Sequence, residues 1–328
     1  MTTNFPPRLS LAHLPTPLEP LPRLSAALGG PEIWIKRDDL TGLAGGGNKT
    51  RKLEFILPLA VEQGADTLVT VGAAQSNHCR QTAAAAAKYG FRCILVLRGG
   101  PPADIDGNLL LDQLLGAELR WSGDRAREAV MDEVVAQERA AGRRPFAIPL
   151  GGSTPLGAAG YAIAMLELND QMQSAGIRFH RIFFASSSGG THAGLAAGAL
   201  LTGFPGQVLG ISIDEELDSL KALVARVATG TMELLGRPRT LGAGDIHANA
   251  DYLGAGYGIM GQAEREAIHL FARHEGILID PVYTARAAAG MIDLIRRGQV
   301  GRDETVLFWH TGGIPALWAY AGELTGQG

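Results

Sequence analysis

Short apolar runs alternate with helical patterns from one end of this chain to the other, and that rhythm limits the fold more than any single residue does. Strands are expected at 33–36, 67–71, 93–97, near 119, and at 146–148, 181–185, 208–213 and 305–309. Between them the spacing predicts helices over 48–63, 77–89, 108–115, 127–141, 156–174 and 191–201. Further helices are expected from about 216 to 228 and over 262–275, 284–297 and 314–324. A proline-rich lead-in (Pro15, Pro17, Pro20, Pro22) precedes the first strand, and a less regular stretch follows residue 228. Several strands are continuously apolar rather than alternating, as strands covered on both faces must be. The expected fold class is therefore α/β, with open, twisted, mostly parallel sheets flanked by helices. Ligands in such folds sit outside the carboxyl ends of the strands, so chemistry is to be sought in the loops that follow strands.

Composition narrows the function classes. At roughly 150 residues per domain, 328 residues suggest two domains, and a 46% hydrophobic, 19% charged chain can bury a sizeable core. Glycine is abundant, 44 of 328 residues against a background of ~7%, which permits tight turns and close backbone approaches. The net charge of −4 implies no large basic surface, so nucleic acid is not an expected partner. Two cysteines, Cys79 and Cys93, cannot form a disulfide framework or a Cys-rich zinc site and are expected as buried thiols. The first nine residues carry no signal-peptide pattern. The longest uncharged segment, 182–213, is interrupted by Ser186, Ser187, Ser188, paired glycines and Pro205, so no membrane span is expected. A cytoplasmic, soluble protein is the expectation.

Three loops carry the chemical signal. In Gly45-Gly46-Gly47-Asn48-Lys49-Thr50-Arg51-Lys52, Asn48 is a candidate N-cap, which puts Lys49 and Lys52 in the first helical turn on one face. Cations there oppose the helix macrodipole; the same field, with burial, lowers a lysine pKa and makes its amine a better nucleophile. The alternative is a solvated basic turn. A G-x-x-x-x-G-K-[ST] phosphate loop is excluded because Asn48 stands where that pattern needs lysine. The second loop, Gly72-Ala73-Ala74-Gln75-Ser76-Asn77-His78, presents a hydroxyl and an amide at a helix start, though on this loop alone simple capping by Ser76 or Asn77 is the better account. The third, Ser186-Ser187-Ser188-Gly189-Gly190-Thr191, is a ready anion site and lacks dinucleotide-fingerprint spacing, so phosphate fits better than NAD. A glycine-rich turn without ligand is the alternative there.

An imine-forming lysine, a phosphate cradle and a Ser-Asn loop together suggest pyridoxal phosphate. The segments 46–54, 75–78, 188–194, Asp280-Pro281-Val282-Tyr283-Thr284 and His310-Thr311-Gly312-Gly313 resemble the D-cysteine desulfhydrase and 1-aminocyclopropane-1-carboxylate (ACC) deaminase family, a branch of the fold type II (tryptophan-synthase-β-like) pyridoxal enzymes. The resemblance runs in order from about residue 11 to 320. It implies that Lys49 links covalently to the cofactor and later moves protons. It implies that Lys52, Ser187, Ser188, Gly189, Gly190 and Thr191 hold the phosphate, and that Asn77 bonds the ring oxygen. Ser76 would meet the substrate carboxylate, Tyr257 and Tyr283 would be active-site tyrosines, and Thr284 and Thr311 would lie near the ring. Each tyrosine could otherwise be half-buried packing with a polar tip. His78, His192 and His310 are not spaced as metal ligands and are expected to make structural hydrogen bonds.

The implied activity is β-elimination from a small amino acid, D-cysteine giving pyruvate, hydrogen sulfide and ammonia. Thr284 and Thr311 stand where ACC deaminases typically carry Glu and Leu, which favours the desulfhydrase chemistry. ACC deamination and L-cysteate sulfo-lysis remain alternatives on the same scaffold: Arg286 replaces a frequent lysine, and the 99–104 loop is shorter than in many relatives. A non-catalytic cofactor- or amino-acid-binding protein is a remote alternative, disfavoured by the presence of Lys49, Ser76 and both tyrosines. The resemblance also implies a large domain of residues 1–49 and 153–328, a smaller one of 50–152 with the site between them, and a homodimer.

Overall fold

The computed structural model describes residues 5–326. Among them two sheets form. In spatial order the larger runs β1 (Leu18–Pro20), β2 (Glu32–Arg37), β10 (Thr305–His310), β7 (Arg181–Ser186), β8 (Gln207–Ser212), β9 (His247–Asn249). The smaller runs β5 (Glu118–Trp121), β4 (Arg92–Leu97), β3 (Thr67–Gly72), β6 (Pro145–Ile148). Strand β1 pairs antiparallel with β2, and the other pairings are parallel. The helices are α1 (Pro22–Leu28), α2 (Lys49–Glu62), α3 (Asn77–Tyr89), α4 (Gly107–Leu114), α5 (Arg127–Ala140), α6 (Pro155–Ala175), α7 (Gly190–Thr202), α8 (Leu217–Leu234), α9 (Gln262–Glu275), α10 (Thr284–Arg296), α11 (Ala316–Ala319) and α12 (Ala321–Thr325).

Both faces of each sheet are covered, which is why the strands read as continuous apolar runs. On β7 and β10, Phe183 and Phe308 face a core with Ala288 and Met291 of α10 and Phe271 of α9. Their neighbours Ile182, Phe184, Leu307 and Trp309 face the opposite core with Tyr161, Met165 and Leu168 of α6. In the smaller sheet Leu95 and Leu97 meet α2 and α3 through Leu53, Ile56 and Ala83, while Ile94 and Val96 meet Val130 and Val134 of α5. Each large apolar side chain removed from water in this way contributes roughly 1.5–3 kcal/mol.

Strand order locates the site. In the larger sheet β7, β8 and β9 step outward to one side while β10 lies on the other flank of β7; in the smaller sheet β3, β4 and β5 step one way and β6 lies on the other side of β3. Connections therefore diverge at β7/β10 and at β3/β6, and loops leaving such switch points open a crevice. The diverging loops carry Ser186–Gly189, Thr311–Gly312, Ala73–Ser76 and Gly151–Ser153.

The start of α2 is pinned by a buried ionic cluster. Arg51 donates to both Asp38 oxygens (Nε 2.9 Å, Nη2 2.8 Å) and to Glu167 (3.0 and 2.9 Å), and Lys36 reaches Glu167 at 2.5 Å. Tyr161 Oη and Trp309 Nε1 donate to Asp38 at 2.6 and 2.8 Å. Burial alone would raise the Asp38 carboxyl, but the Arg51 guanidinium outweighs it and holds the group at about 2.

Several expectations need correction. The proline-rich lead-in forms the edge strand β1 and is followed by α1, a helix with proline at its first position; the sequence pattern showed neither. The helix near 216–228 continues to Leu234. The helix over 314–324 breaks into α11 and α12 at Tyr320, whose φ/ψ of −114°/15° is not helical. The irregular stretch contains β9. None of the helices described is long and apolar enough to cross a membrane.

Candidate active site

The loops from both switch points, with the α2 start, enclose a cavity of about 430 Å³. Lys49, Lys52, Ser76, Asn77, Ser187, Ser188, Gly189, Thr191, Tyr257, Tyr283 and Thr311 all line it; Gly190 and Thr284 do not. Residues expected from three separate loops and two later motifs, together with Tyr257, thus converge.

Lys49 is the first residue of α2, and its amine makes no hydrogen bond with the residues described. Burial, partly offset by the Asp280 and Asp214 carboxylates, lowers it to about 8. The direction agrees with the sequence argument, but desolvation is the main cause. Asn48 does not cap α2: it is itself in the helical region, and its side chain donates instead to Thr191 Oγ1 (2.9 Å). The Gly45–Gly47 approach is forced by crowding, since a Cβ on Gly46 (φ 68°) would lie 1.9 Å from the Asp39 carbonyl oxygen.

Lys52 is buried with neutral partners only, the Gly151 carbonyl (3.1 Å) and Ser153 Oγ (3.3 Å). Burial first, then the Lys49 charge, pushes its amine well below the usual lysine range. A cation with no carboxylate beside it, facing the N-terminus of α7, fits an anion. The hydroxyls point the same way by proton counting. Ser153 Oγ accepts from Gly190 N (3.1 Å) and Lys52, so its proton goes to Ser188 Oγ (2.8 Å) and leaves the Ser188 proton free. Thr191 Oγ1 accepts from Asn48, which frees its proton too. A Cβ on Gly190 would lie 2.7 Å from Ser153 Oγ and 2.8 Å from Lys52 Nζ, so the cradle needs glycine there.

Ser187 also lines the cavity, and its hydroxyl donates to Asp214 Oδ2 (3.0 Å), so that proton is committed to a carboxylate. Thr284 is fully buried and does not line the cavity, and its hydroxyl donates to Asp280 Oδ1 (2.6 Å), whose carboxylate also accepts the backbone N–H groups of Val282, Tyr283 and Thr284. It therefore helps to orient the loop that carries Tyr283.

On the opposite wall Ser76 caps α3, accepting from Cys79 N (3.2 Å), and keeps its own proton for the cavity. Tyr257 and Tyr283 hydrogen-bond through their hydroxyls at 2.6 Å, rings edge to face. Burial pushes Tyr257 up to about 12 and Tyr283 well above its ordinary value, so both stay protonated near neutrality. The three histidines make structural hydrogen bonds: His78 Nε2 with Thr70 (2.8 Å), His192 Nδ1 with Ser186 (3.0 Å) and His310 Nε2 with the Leu278 carbonyl (2.9 Å). Among the described residues no group of three or more His, Cys, Asp or Glu could hold a metal ion. Cys79 and Cys93 are buried free thiols.

Sequence reasoning missed Ser153, Asp214, Asn108 and the rim residues Arg98 and Arg127. Ser153 had a usable signal, because Gly151-Gly152-Ser153 is a glycine/serine loop directly after β6. Asp214 follows the β8 run and had only its position to mark it.

Residues 9–312 match the family described as pyridoxal-phosphate dependent enzyme. The chain belongs to that family. D-cysteine desulfhydrases of Salmonella choleraesuis and Salmonella typhi are each 43% identical over 324 residues, covering 97% of both chains. A solved structure described as an ACC deaminase homologue superposes with a TM-score of 0.90 at 38% identity, covering 98% of this chain and 96% of that one. The processed form of threonine deaminase isoform 2 from Solanum lycopersicum shares the fold at TM-score 0.66 and 17% identity, covering 95% of this chain and 84% of that one. This pyridoxal-phosphate dependent enzyme is thus a fold type II protein, and its cofactor is pyridoxal phosphate. The residues present fit that group: the Lys52 cradle suits its phosphate, and the unpartnered Lys49 amine suits its aldehyde.

Proposed function

We propose that this enzyme is a lyase that eliminates the β-substituent of a small amino acid, D-cysteine first among them, releasing hydrogen sulfide and, after one water hydrolyses the unsaturated product, pyruvate and ammonia. The observation that carries this is the Lys49 amine, lowered to about 8 and without a hydrogen-bond partner, in the same cavity as the Lys52 cradle. The substrate choice draws on the desulfhydrase relatives and on Thr284 and Thr311.

Pyridoxal phosphate, when bound, withdraws electrons from the substrate Cα and so acidifies its proton. The protein does the rest. Lys52, Ser188, Thr191 and the backbone of Gly189 and Gly190 would hold the phosphate, Asn77 would meet the ring oxygen, and Thr311 would lie beside the ring. Lys49 binds the cofactor covalently and, once released, takes the Cα proton, for which a pKa of about 8 is well matched near neutral pH. Ser76 donates its free proton as a hydrogen bond to the substrate carboxylate. The Tyr257–Tyr283 pair, protonated near neutrality, donates a hydrogen bond to the departing sulfur, and the proton that Lys49 took from Cα completes its protonation.

The site lies between two proposed domains, 1–49 with 153–328 and 50–152; in support, the smaller sheet is contained within residues 67–148 and loops of both sheets line the cavity. A homodimer is proposed from the family resemblance, supported by exposed Leu110 and Leu114 on α4 beside exposed Trp318 on the adjoining α11. Two reduced, buried thiols accord with a cytoplasmic setting.

A second reading has its own observation. The guanidinium-bearing Arg98 and Arg127 line the same cavity, which would favour a substrate with an anionic side chain such as L-cysteate; the ACC deaminase homologue keeps ring opening of ACC as a further alternative. Offering D-cysteine, L-cysteine, L-cysteate and ACC separately tests the proposal. Pyruvate should appear fastest from D-cysteine. Sulfite from L-cysteate or 2-oxobutanoate from ACC at higher efficiency overturns it, and no turnover of any would point to a binding protein.

A further inference from the structure

Asn108, at the start of α4, has no place in the proposed chemistry, yet it is completely buried and hydrogen-bonds a residue that lines the cavity. Its Nδ2 donates to the Gln75 carbonyl and to Asn77 Oδ1, both at 3.0 Å. The donor assignment follows from chemistry, since a backbone carbonyl only accepts and the atom facing it must be the NH₂. The second Nδ2 proton then goes to Asn77, whose contacting atom must be its oxygen. Asn77 is left with its own NH₂ unpartnered, because no described residue accepts from it.

Asn108 is itself held in place. Its backbone N–H donates to Gln75 Oε1 (2.8 Å), and Gln75 Nε2 donates to Asp106 Oδ1 (3.0 Å). Its own Oδ1 has no hydrogen-bond partner although it is buried, so the donor end alone is put to use.

We propose that Asn108 is a positioning residue that locks the Asn77 amide with its NH₂ toward the cofactor's ring oxygen. This rests on the reading of Asn77 as the ring-oxygen partner. A donor facing that oxygen favours its anionic form and lowers the pH at which it loses a proton; a free amide would turn its oxygen inward half the time, and a reversed one always.

The test uses cofactor-loaded enzyme and the pH midpoint of its visible absorption, with cofactor dissociation measured alongside. In Asn108→Asp the carboxylate can only accept, so Asn77 must rotate to donate to it; the spectral midpoint rises by about one unit or more and the cofactor dissociation constant rises roughly tenfold. Asn108→Ala moves both in the same direction by less, and it carries the test should the aspartate variant fail to fold. Adding Asn108→Asp to Asn77→Ala shifts the midpoint no further than Asn77→Ala alone. An unshifted midpoint in a folded Asn108 variant, with Asn77→Ala shifted, overturns the clamp and leaves the reading of Asn77 standing. An unshifted midpoint in Asn77→Ala overturns both.

Discussion

Replacing Lys49 by methionine should stabilise the cofactor-free protein, and the gain should depend on pH in a way that packing cannot imitate. The Lys49 amine falls from its ordinary 10.5 to about 8, chiefly because burial disfavours the charge. A difference of roughly 2.5 units at ~1.36 kcal/mol each gives about 3 kcal/mol as a ceiling, and about 2 is the expectation because the amine faces a water-accessible cavity. The sign follows from proton counting. Between pH 8 and 10.5 the unfolded chain holds a proton on Lys49 that the folded chain has released, so wild-type stability rises with pH there; below 8 both states are charged and the penalty is constant. Urea unfolding of cofactor-free wild type and Lys49→Met at about pH 7, 8.5 and 10 should show the variant ahead by about 2 kcal/mol at the lowest pH, with the margin mostly gone at the highest. Any change in packing is the same at each pH and cancels. A margin that does not vary with pH would refute the reasoning.

Gly190→Ala should weaken pyridoxal phosphate binding at least tenfold by fluorescence titration, because the new methyl meets Ser153 and Lys52; an unchanged dissociation constant contradicts the cradle. Tyr283→Phe should slow pyruvate release by roughly tenfold while leaving the cofactor's absorption in place, and an unslowed variant removes the tyrosine from stabilising the leaving sulfur. Asp38→Asn should lower stability near neutral pH by roughly 3–5 kcal/mol, since Arg51 loses a buried partner. With Asp38 held at about 2 when folded, that margin is full above about pH 4 and shrinks as acid takes the pH toward 2; thermal unfolding across this range checks both parts.

The parallel α/β class was legible because strands covered on both faces are apolar along their interiors, as β7, β10 and β4 are between their end residues. The cavity-lining loops were legible for a related reason: a glycine/serine run between strand and helix has few uses other than close approach to a ligand. What stayed hidden depends on partners far away in the chain. Ser187 was assigned through the family resemblance, yet the Asp214 carboxylate, 27 residues on, claims its proton, and no local pattern announces that; Thr284 is the exception, bonded to Asp280 only four residues back within its own motif. Arg51, within the most telling motif, serves the Asp38–Glu167 cluster rather than the cofactor, through contacts up to 116 residues apart. Strand β1 escaped notice because it contains a proline and pairs at an edge, where a missing N–H costs nothing.

The central claim is that Lys49, rather than its neighbour Lys52, carries the cofactor. Reducing the cofactor-loaded enzyme with borohydride and mapping its peptides by mass spectrometry tests this most directly. The phosphopyridoxyl mass should sit on Lys49, with tryptic cleavage blocked there and intact at Lys52. The adduct on Lys52, on another lysine, or on none would contradict the account.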